Sequence, residues 1–158
     1  MYAHILLPTD GSELSKMAIR EGVDLAKALE ARVTVVTVTM PFHVFSGSLS
    51  MLTDTPEQYR KHMAARAAQY LDMAKKIAAV VGVPCDAVHV EHEHPYRAII
   101  ETAQNRGCDA IVMASHGRHG MSAIVLGSET LKVLTHSIVP VIVYHQPRPS
   151  IAQLAAAS

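Results

Sequence analysis

Ala110-Ile111-Val112-Met113-Ala114-Ser115-His116-Gly117 runs without a break from five apolar residues into a glycine-bearing turn. A continuous apolar run of this length suits a parallel strand covered on both faces, because neither side of it meets water. Parallel neighbours need crossovers, so helices must separate this run from others like it. The runs His4–Pro8, Val33–Thr39, Asp86–Glu91 and Val139–Tyr144 read as strands, and the quoted run reads as a fifth over Ala110–Ser115. Between them lie helical periods. Leu14, Ala18, Val23, Leu25 and Leu29 form one stripe, entered through the cap signal Asp10-Gly11-Ser12. Tyr59, Met63, Tyr70, Ala74, Ile77 and Val81 mark a longer helix from near Pro56. Ile99, Thr102 and Ala103 lie in a third, opened by Pro95 and stopped by Gly107. A fourth runs from about Gly127 to His136. Strand and helix alternate four times before a last strand, which predicts an α/β fold: an open, five-stranded parallel sheet with helices on both faces.

The whole chain is one domain's worth at 158 residues, and 49% hydrophobic residues supply its core. Residues 1–146 are expected to form that domain and 147–158 a C-terminal tail. Fourteen Lys plus Arg balance fourteen Asp plus Glu, so there is no electrostatic footprint for nucleic acid or an anionic membrane surface. No run approaches the ~20 apolar residues of a bilayer span. The start Met1-Tyr2-Ala3-His4 lacks a basic region before a long apolar one, so no signal peptide is expected. Two cysteines, Cys85 and Cys108, are too few for a disulfide framework and fit a reduced cytoplasm. The long connection Met40–Thr55 is of a length that usually serves function.

Gly117, Gly120 and Gly127 fall in one short window between the fourth strand and the last helix. Phosphate binding favours this arrangement, because glycines admit an anion to backbone N–H groups and a helix start adds free donors and partial positive charge. Ser128 adds a hydroxyl. The first strand ends in Pro8-Thr9-Asp10-Gly11-Ser12, where Asp10 stands where an acid can bond a ribose hydroxyl or help hold a metal. The same glycines also suit turns, and Asp10, Ser12 and Ser128 also suit helix caps. In an open α/β sheet, ligands lie beyond the carboxyl ends of strands where the strand order reverses. If the first and fourth strands are neighbours, both loops face one crevice.

Ile5-Leu6-Leu7-Pro8-Thr9-Asp10-Gly11-Ser12 resembles the opening of the universal stress protein family. So does Ile111-Val112-Met113-Ala114-Ser115-His116-Gly117-Arg118-His119-Gly120, followed by Leu126-Gly127-Ser128 and Pro140-Val141-Ile142-Val143. The resemblance implies a Rossmann-like sheet of the adenine-nucleotide alpha-hydrolase kind, in the order 3-2-1-4-5. The family's ATP-binding branch carries Gly-x2-Gly-x9-Gly-Ser/Thr. Here Gly117 is the second glycine and Gly127-Ser128 the end, while Ala114 replaces the first. By this resemblance Pro8, Thr9 and Asp10 line ribose and base, and Val38 offers backbone groups to adenine, with Met113 and Ala114 at the strand end. Gly117, Gly120, Gly127, Ser128 and the N–H of Glu129 hold the phosphates of ATP, with Mg²⁺ carried by the nucleotide. The Glu129 carboxylate would repel phosphate unless it turns away, and Arg118 could offset it. The family commonly dimerises through its last strand. An antiparallel homodimer is therefore expected through Pro140, Val141, Ile142, Val143 and Tyr144, whose apolar edge invites pairing.

No Walker lysine is present and no catalytic base is fixed by spacing, so any hydrolysis is expected to be slow and no catalytic residue is assigned. His116 and His119 are read as structural or solvated. His89, His92 and His94, with Glu91 and Glu93, are read as a solvated strand end rather than a metal site, with His92 and His94 on one face and His89 on the other. The expectation is a cytoplasmic, ATP-binding, dimeric stress-response protein. Its rivals are an interaction module that binds no nucleotide, which Ala114 favours, and a slow ATPase or adenylating enzyme on a related fold.

Overall fold

The computed structural model describes residues 1–45, 55–117 and 126–146. Five strands and five helices follow in the order β1 (His4–Pro8), α1 (Glu13–Ala28), β2 (Arg32–Thr39), α2 (Phe42–Phe45), α3 (Pro56–Val81), β3 (Cys85–Glu91), α4 (Pro95–Arg106), β4 (Ala110–Ala114), α5 (Ser128–His136) and β5 (Val141–Tyr144). All pairings are parallel and the sheet order is β3-β2-β1-β4-β5. The order reverses between β1 and β4, as expected.

Local chemistry sets the helix ends. Ser12 caps α1 by accepting the Ser15 N–H at 3.2 Å. Thr55 and Gln58 form a reciprocal capping box at the start of α3, with Pro56 beside it. Gly82 and Gly107 end α3 and α4 in the left-handed conformation. Strand alternation then sorts the core into two layers. Ile5, Leu7, Val33, Val35, Ala110 and Val112 pack against α1 and α3. Leu6, Val36, Ile111 and Met113 face the other way, with Ile99 and Ala103 of α4 and Val133 of α5. The fully buried Leu7 or Ile5 side chain contributes roughly 1.5–3 kcal/mol by leaving water.

The structure refines several expectations. The inner stripe of α1 is Leu14, Ala18, Ile19, Val23 and Ala26, while Leu25 and Leu29 are half-buried. In α3, Tyr59 and Ala74 are buried with Ala67, Leu71 and Ala78, whereas Met63, Tyr70, Ile77 and Val81 are half-buried. The 40–55 connection opens with α2. It is tied down by Tyr59, whose hydroxyl donates to the Met40 carbonyl at 2.8 Å and whose ring meets Phe42 edge-on. β5 starts at Val141 rather than Val139, because the Ser137 hydroxyl bonds both the carbonyl and the N–H of Val139 and holds it in a turn. β4 ends one residue early, at Ala114.

At the opposite end of the sheet from the two loops, His4 is buried with Nε2 2.8 Å from the Thr34 hydroxyl. Burial first, and the Arg32 guanidinium second, hold its pKa below the ordinary value, against weaker pulls from Asp109 and Asp86. Burial also acts on Asp109, in the raising direction. The N–H groups of Ala3 and His4 outweigh it and leave the carboxyl below its ordinary pKa. The signs follow from linkage. His4 binds a proton more readily in the unfolded chain, so its contribution is intact above about pH 6.5 and is lost as pH falls through its lower folded value. The Asp109 contribution is lost only below the ordinary carboxylate range. Denaturant unfolding should therefore show stability declining below about pH 6.5, and His4→Gln should flatten that decline. Parallel pH profiles for the two proteins would contradict this.

Candidate functional site

The turn after β1 is built by its own side chains. Thr9 extends the ladder by donating its N–H to the Val36 carbonyl at 2.8 Å, and its own carbonyl accepts from the Thr37 hydroxyl at 2.8 Å. Its buried hydroxyl accepts the Gly11 N–H at 3.2 Å and lies 3.0 Å from that of Ser15. Pro8 is buried beneath it. Gly11 has φ +78°, and a Cβ there would collide with the Tyr70 ring, so this corner excludes larger residues twice over. The chain turns back, and Asp10 Oδ1 accepts the Ser12 N–H at 2.9 Å.

The other Asp10 oxygen reaches the second loop. A Cβ added to Gly117 would run into Oδ2 of Asp10, so the β1 and β4 turns meet in van der Waals contact. Hydrogen bonds pinch the base of the β4–α5 loop: the Gly127 N–H donates to the Ser115 carbonyl at 2.8 Å and the Thr130 hydroxyl to the Ala114 carbonyl at 3.0 Å. A Cβ on Gly127 would sit 3.1 Å from the His116 Cα. Gly127 is also the N-cap of α5, and it brings no side-chain cap to the helix start. The first-turn N–H groups at Ser128 and Glu129 therefore open towards this loop with the positive end of the helix dipole.

Glu129 turns away. Its Oε2 accepts the Tyr96 N–H at 2.8 Å and its Oε1 pairs with Lys132 at 3.0 Å, so the carboxylate caps the start of α4. Ala114 is absorbed in a different manner. It lies in β4 with no positive φ, and its methyl packs with Leu14 and Ala18 of α1 and with Tyr144. Met113 faces the α4–α5 layer. Parallel alternation turns the backbone polar groups of Val38 to the same side as the Val36 carbonyl, towards β1, but beyond the last residue of β1. Arg118, His119 and Gly120 lie outside the described residues, as do Met121–Val125.

The residues present fit a phosphate ester. At Gly117 and Gly127 an added side chain would run into Asp10 and His116, so the turns close on one another, and a helix start without a side-chain cap stands beside them. Sequence reasoning missed two contributors. Thr130 ties the helix to the strand end, and Tyr70 closes over Gly11. Only the β-branched hydroxyl two residues into the helix offered a signal for the first; for the second there was none, since Tyr70 comes from α3.

The histidines near β3 do not share a strand. β3 ends at Glu91, the His94 N–H donates to His92 Nδ1 at 2.8 Å, and His94 becomes the N-cap of α4. His89 lies 2.8 Å from the Thr39 hydroxyl, and His43 pairs with Glu93 at 2.6 Å. Among the described residues, no three His, Cys, Asp or Glu side chains group closely enough to hold a metal. Burial pushes the Cys108 thiol up to about 11 and raises that of Cys85, so both stay protonated. An open groove of about 570 Å³ between α1 and α3, lined by Lys16, Arg20, Asp72 and Lys76 among others, shares no residue with the two loops. No helix among the described residues is long and apolar enough to cross a membrane.

Comparison with known proteins agrees with this architecture. Universal stress protein YxiE of Bacillus subtilis is 30% identical over 147 residues, covering 90% of this chain and 99% of its own. The structure of MJ0577, a universal stress protein of Methanocaldococcus jannaschii, superposes with a TM-score of 0.77 at 27% identity, over 94% of this chain and 99% of that one. A universal stress protein from Archaeoglobus fulgidus, solved in complex with dAMP, has a TM-score of 0.65 at 20% identity, over 90% of this chain and 97% of that one. The sequence profile of the universal stress protein family matches residues 1–145, and the chain belongs to that family.

Proposed function

We propose that the chain binds an adenine nucleotide, ATP with its Mg²⁺, in the crevice between the β1 and β4 turns, and acts as a dimeric regulatory protein of the cytoplasm. The observation that carries the reading is the contact of Gly117 with the Asp10 carboxylate beside the start of α5. Two loops distant in sequence meet there. Gly117, Gly127, Ser128 and the N–H of Glu129 hold the phosphates. Asp10 bonds the ribose, with Pro8 and Thr9 shaping the wall below it. The Val38 backbone reads adenine, and Met113 and Ala114 form the floor at the strand end. Arg118 and Gly120 complete the loop in this proposal, though both lie outside the described residues. Glu129 supports phosphate binding by where its carboxylate goes, since it is spent on Tyr96 and Lys132. The dAMP-bound relative shares the fold with this chain, and the two loops support a nucleotide here. Residues 1–146 form the functional unit in this proposal; 147–158, expected as a C-terminal tail, lie outside the described residues.

A module without nucleotide draws little support from Ala114, whose methyl packs into α1 rather than into the crevice. Binding rather than turnover is the activity proposed.

The dimer reading rests on β5, which pairs only with β4 among the described residues. Beside that edge, Ile138 is 78% exposed, and Leu131, Leu134 and Ile142 are exposed as well. A second copy pairing antiparallel along Val141, Ile142, Val143 and Tyr144, with Pro140 at the strand's entry, would satisfy the edge and cover these side chains.

Three measurements check the proposal. Calorimetric titration should give saturable MgATP binding, and thermal unfolding should show about 2.7 kcal/mol of stabilisation at 100 times Kd. Gly117→Val should abolish both while the protein stays folded, because Gly117 is exposed and only a carboxylate tip must move. Undiminished affinity in that variant would mean the phosphate seat lies elsewhere. In sedimentation, the wild type should be a dimer and Ile142→Asp a monomer; a dimer that survives the charge would remove β5 as the interface.

A further inference from the structure

Ser115 ties together the phosphate turn, the last helix and the edge strand. Its N–H donates to the Tyr144 carbonyl at the end of β5, and its carbonyl accepts the Gly127 N–H at the start of α5, both at 2.8 Å. Its side chain is buried, with the hydroxyl 3.2 Å from Nδ1 of His116 and 3.2 Å from Nδ1 of His145. His116 precedes Gly117 in the phosphate turn, and its Cα lies against Gly127. His145 is the first residue past β5 and is exposed.

A hydroxyl carries one hydrogen, and a ring nitrogen of imidazole is a donor when protonated and an acceptor when bare. Two ring nitrogens sharing one hydroxyl cannot both be bare and both be bonded. If His116 Nδ1 accepts from Ser115, His145 Nδ1 must carry a hydrogen and donate, and the same holds with the two rings exchanged. The state of the ring in the phosphate turn therefore constrains the state of the ring at the end of the edge strand.

We propose that Ser115 is a positioning residue that couples nucleotide in the β1–β4 crevice to the pairing of a second copy along β5. The inference rests on both parts of the function proposed above. A phosphate that fixes the His116 turn also fixes the hydroxyl, and with it His145 and the last residues of β5. Pairing another strand against an edge already ordered costs less conformational entropy, so the coupling is positive. Linkage makes it reciprocal: ATP tightens the dimer by the factor by which dimerisation tightens ATP binding.

The test measures the dimer dissociation constant of the full chain by sedimentation, without ATP and with saturating MgATP. The proteins compared are the wild type, Ser115→Ala and His145→Ala. Ser115→Ala keeps both main-chain bonds and loses only the hydroxyl, and His145→Ala removes an exposed side chain, so neither should unfold the protein. ATP should tighten the wild-type dimer about fivefold or more. In both variants the factor should fall to about one, although each still binds ATP and still dimerises. A wild-type dimer indifferent to bound ATP, or variants that keep the wild-type factor, overturns the proposal. A wild type that binds no ATP, or remains monomeric, defeats the function proposed above and this inference with it, and the titration or the ligand-free sedimentation alone reveals that. Histidine ¹⁵N NMR of the ligand-free protein gives an independent readout. At least one of the two rings should carry its hydrogen on Nδ1 in the wild type and lose that preference in Ser115→Ala. Bare Nδ1 atoms in both wild-type rings would break the link.

Discussion

β1 and β4 lie side by side where the strand order reverses, joined through the pairs Ile5↔Ala110 and Leu6↔Ile111. That adjacency sends the turn after β1 and the turn after β4 to the same side of the sheet. Their meeting depends on Gly117 having no side chain, because Asp10 Oδ2 occupies the place where one would begin. Both layers of the core serve this arrangement. α1 fixes the first turn through Ser12 and Ser15, and α5 fixes the second through Gly127 and Thr130. The meeting of the two turns is thus a product of topology, held in register by short-range bonds at each strand end.

The electrostatics of the seat also come from pairings made elsewhere. A helix start next to an aspartate and a glutamate is poorly suited to phosphate on charge alone. Glu129 removes itself by capping α4 through the Tyr96 N–H and by pairing with Lys132, whose ammonium also lies 5.4 Å from the Tyr96 ring centroid. Each partner is individually worth little at the surface, the ion pair about 0–1 kcal/mol. Their consequence is directional: they turn the Glu129 carboxylate away from the start of α5 and leave Asp10 as the carboxylate beside the loop. The same bonds join the beginnings of α4 and α5, which share the second core layer.

The architecture was legible because the signals are local and redundant. The apolar run Ala110–Ala114, the cap at Ser12, the helix-opening Pro56 and the stop at Gly107 each mark their element without reference to the rest of the chain. The sheet order, by contrast, came from family resemblance rather than from periodicity. What escaped the sequence depends on distant partners. The direction of Glu129 is set by Tyr96, 33 residues away, and the harmlessness of Ala114 by the packing of α1. His92 and His94 were expected to share one face of a strand end. β3 does end at Glu91, but beyond it the His94 N–H bonds His92 Nδ1 and His94 becomes the N-cap of α4. The short α2 was invisible because its anchor, Tyr59, belongs to the next helix.

The most direct test of a nucleotide seat made from two strand-end turns is an amide-resolved NMR titration of the full chain with MgATP. The predicted result is saturable perturbation concentrated at Asp10–Ser12, Val38, His116–Gly117 and Gly127–Glu129, with the β3 edge and the α1–α3 groove unmoved. Perturbations confined to that groove, or absent at millimolar nucleotide, would contradict it.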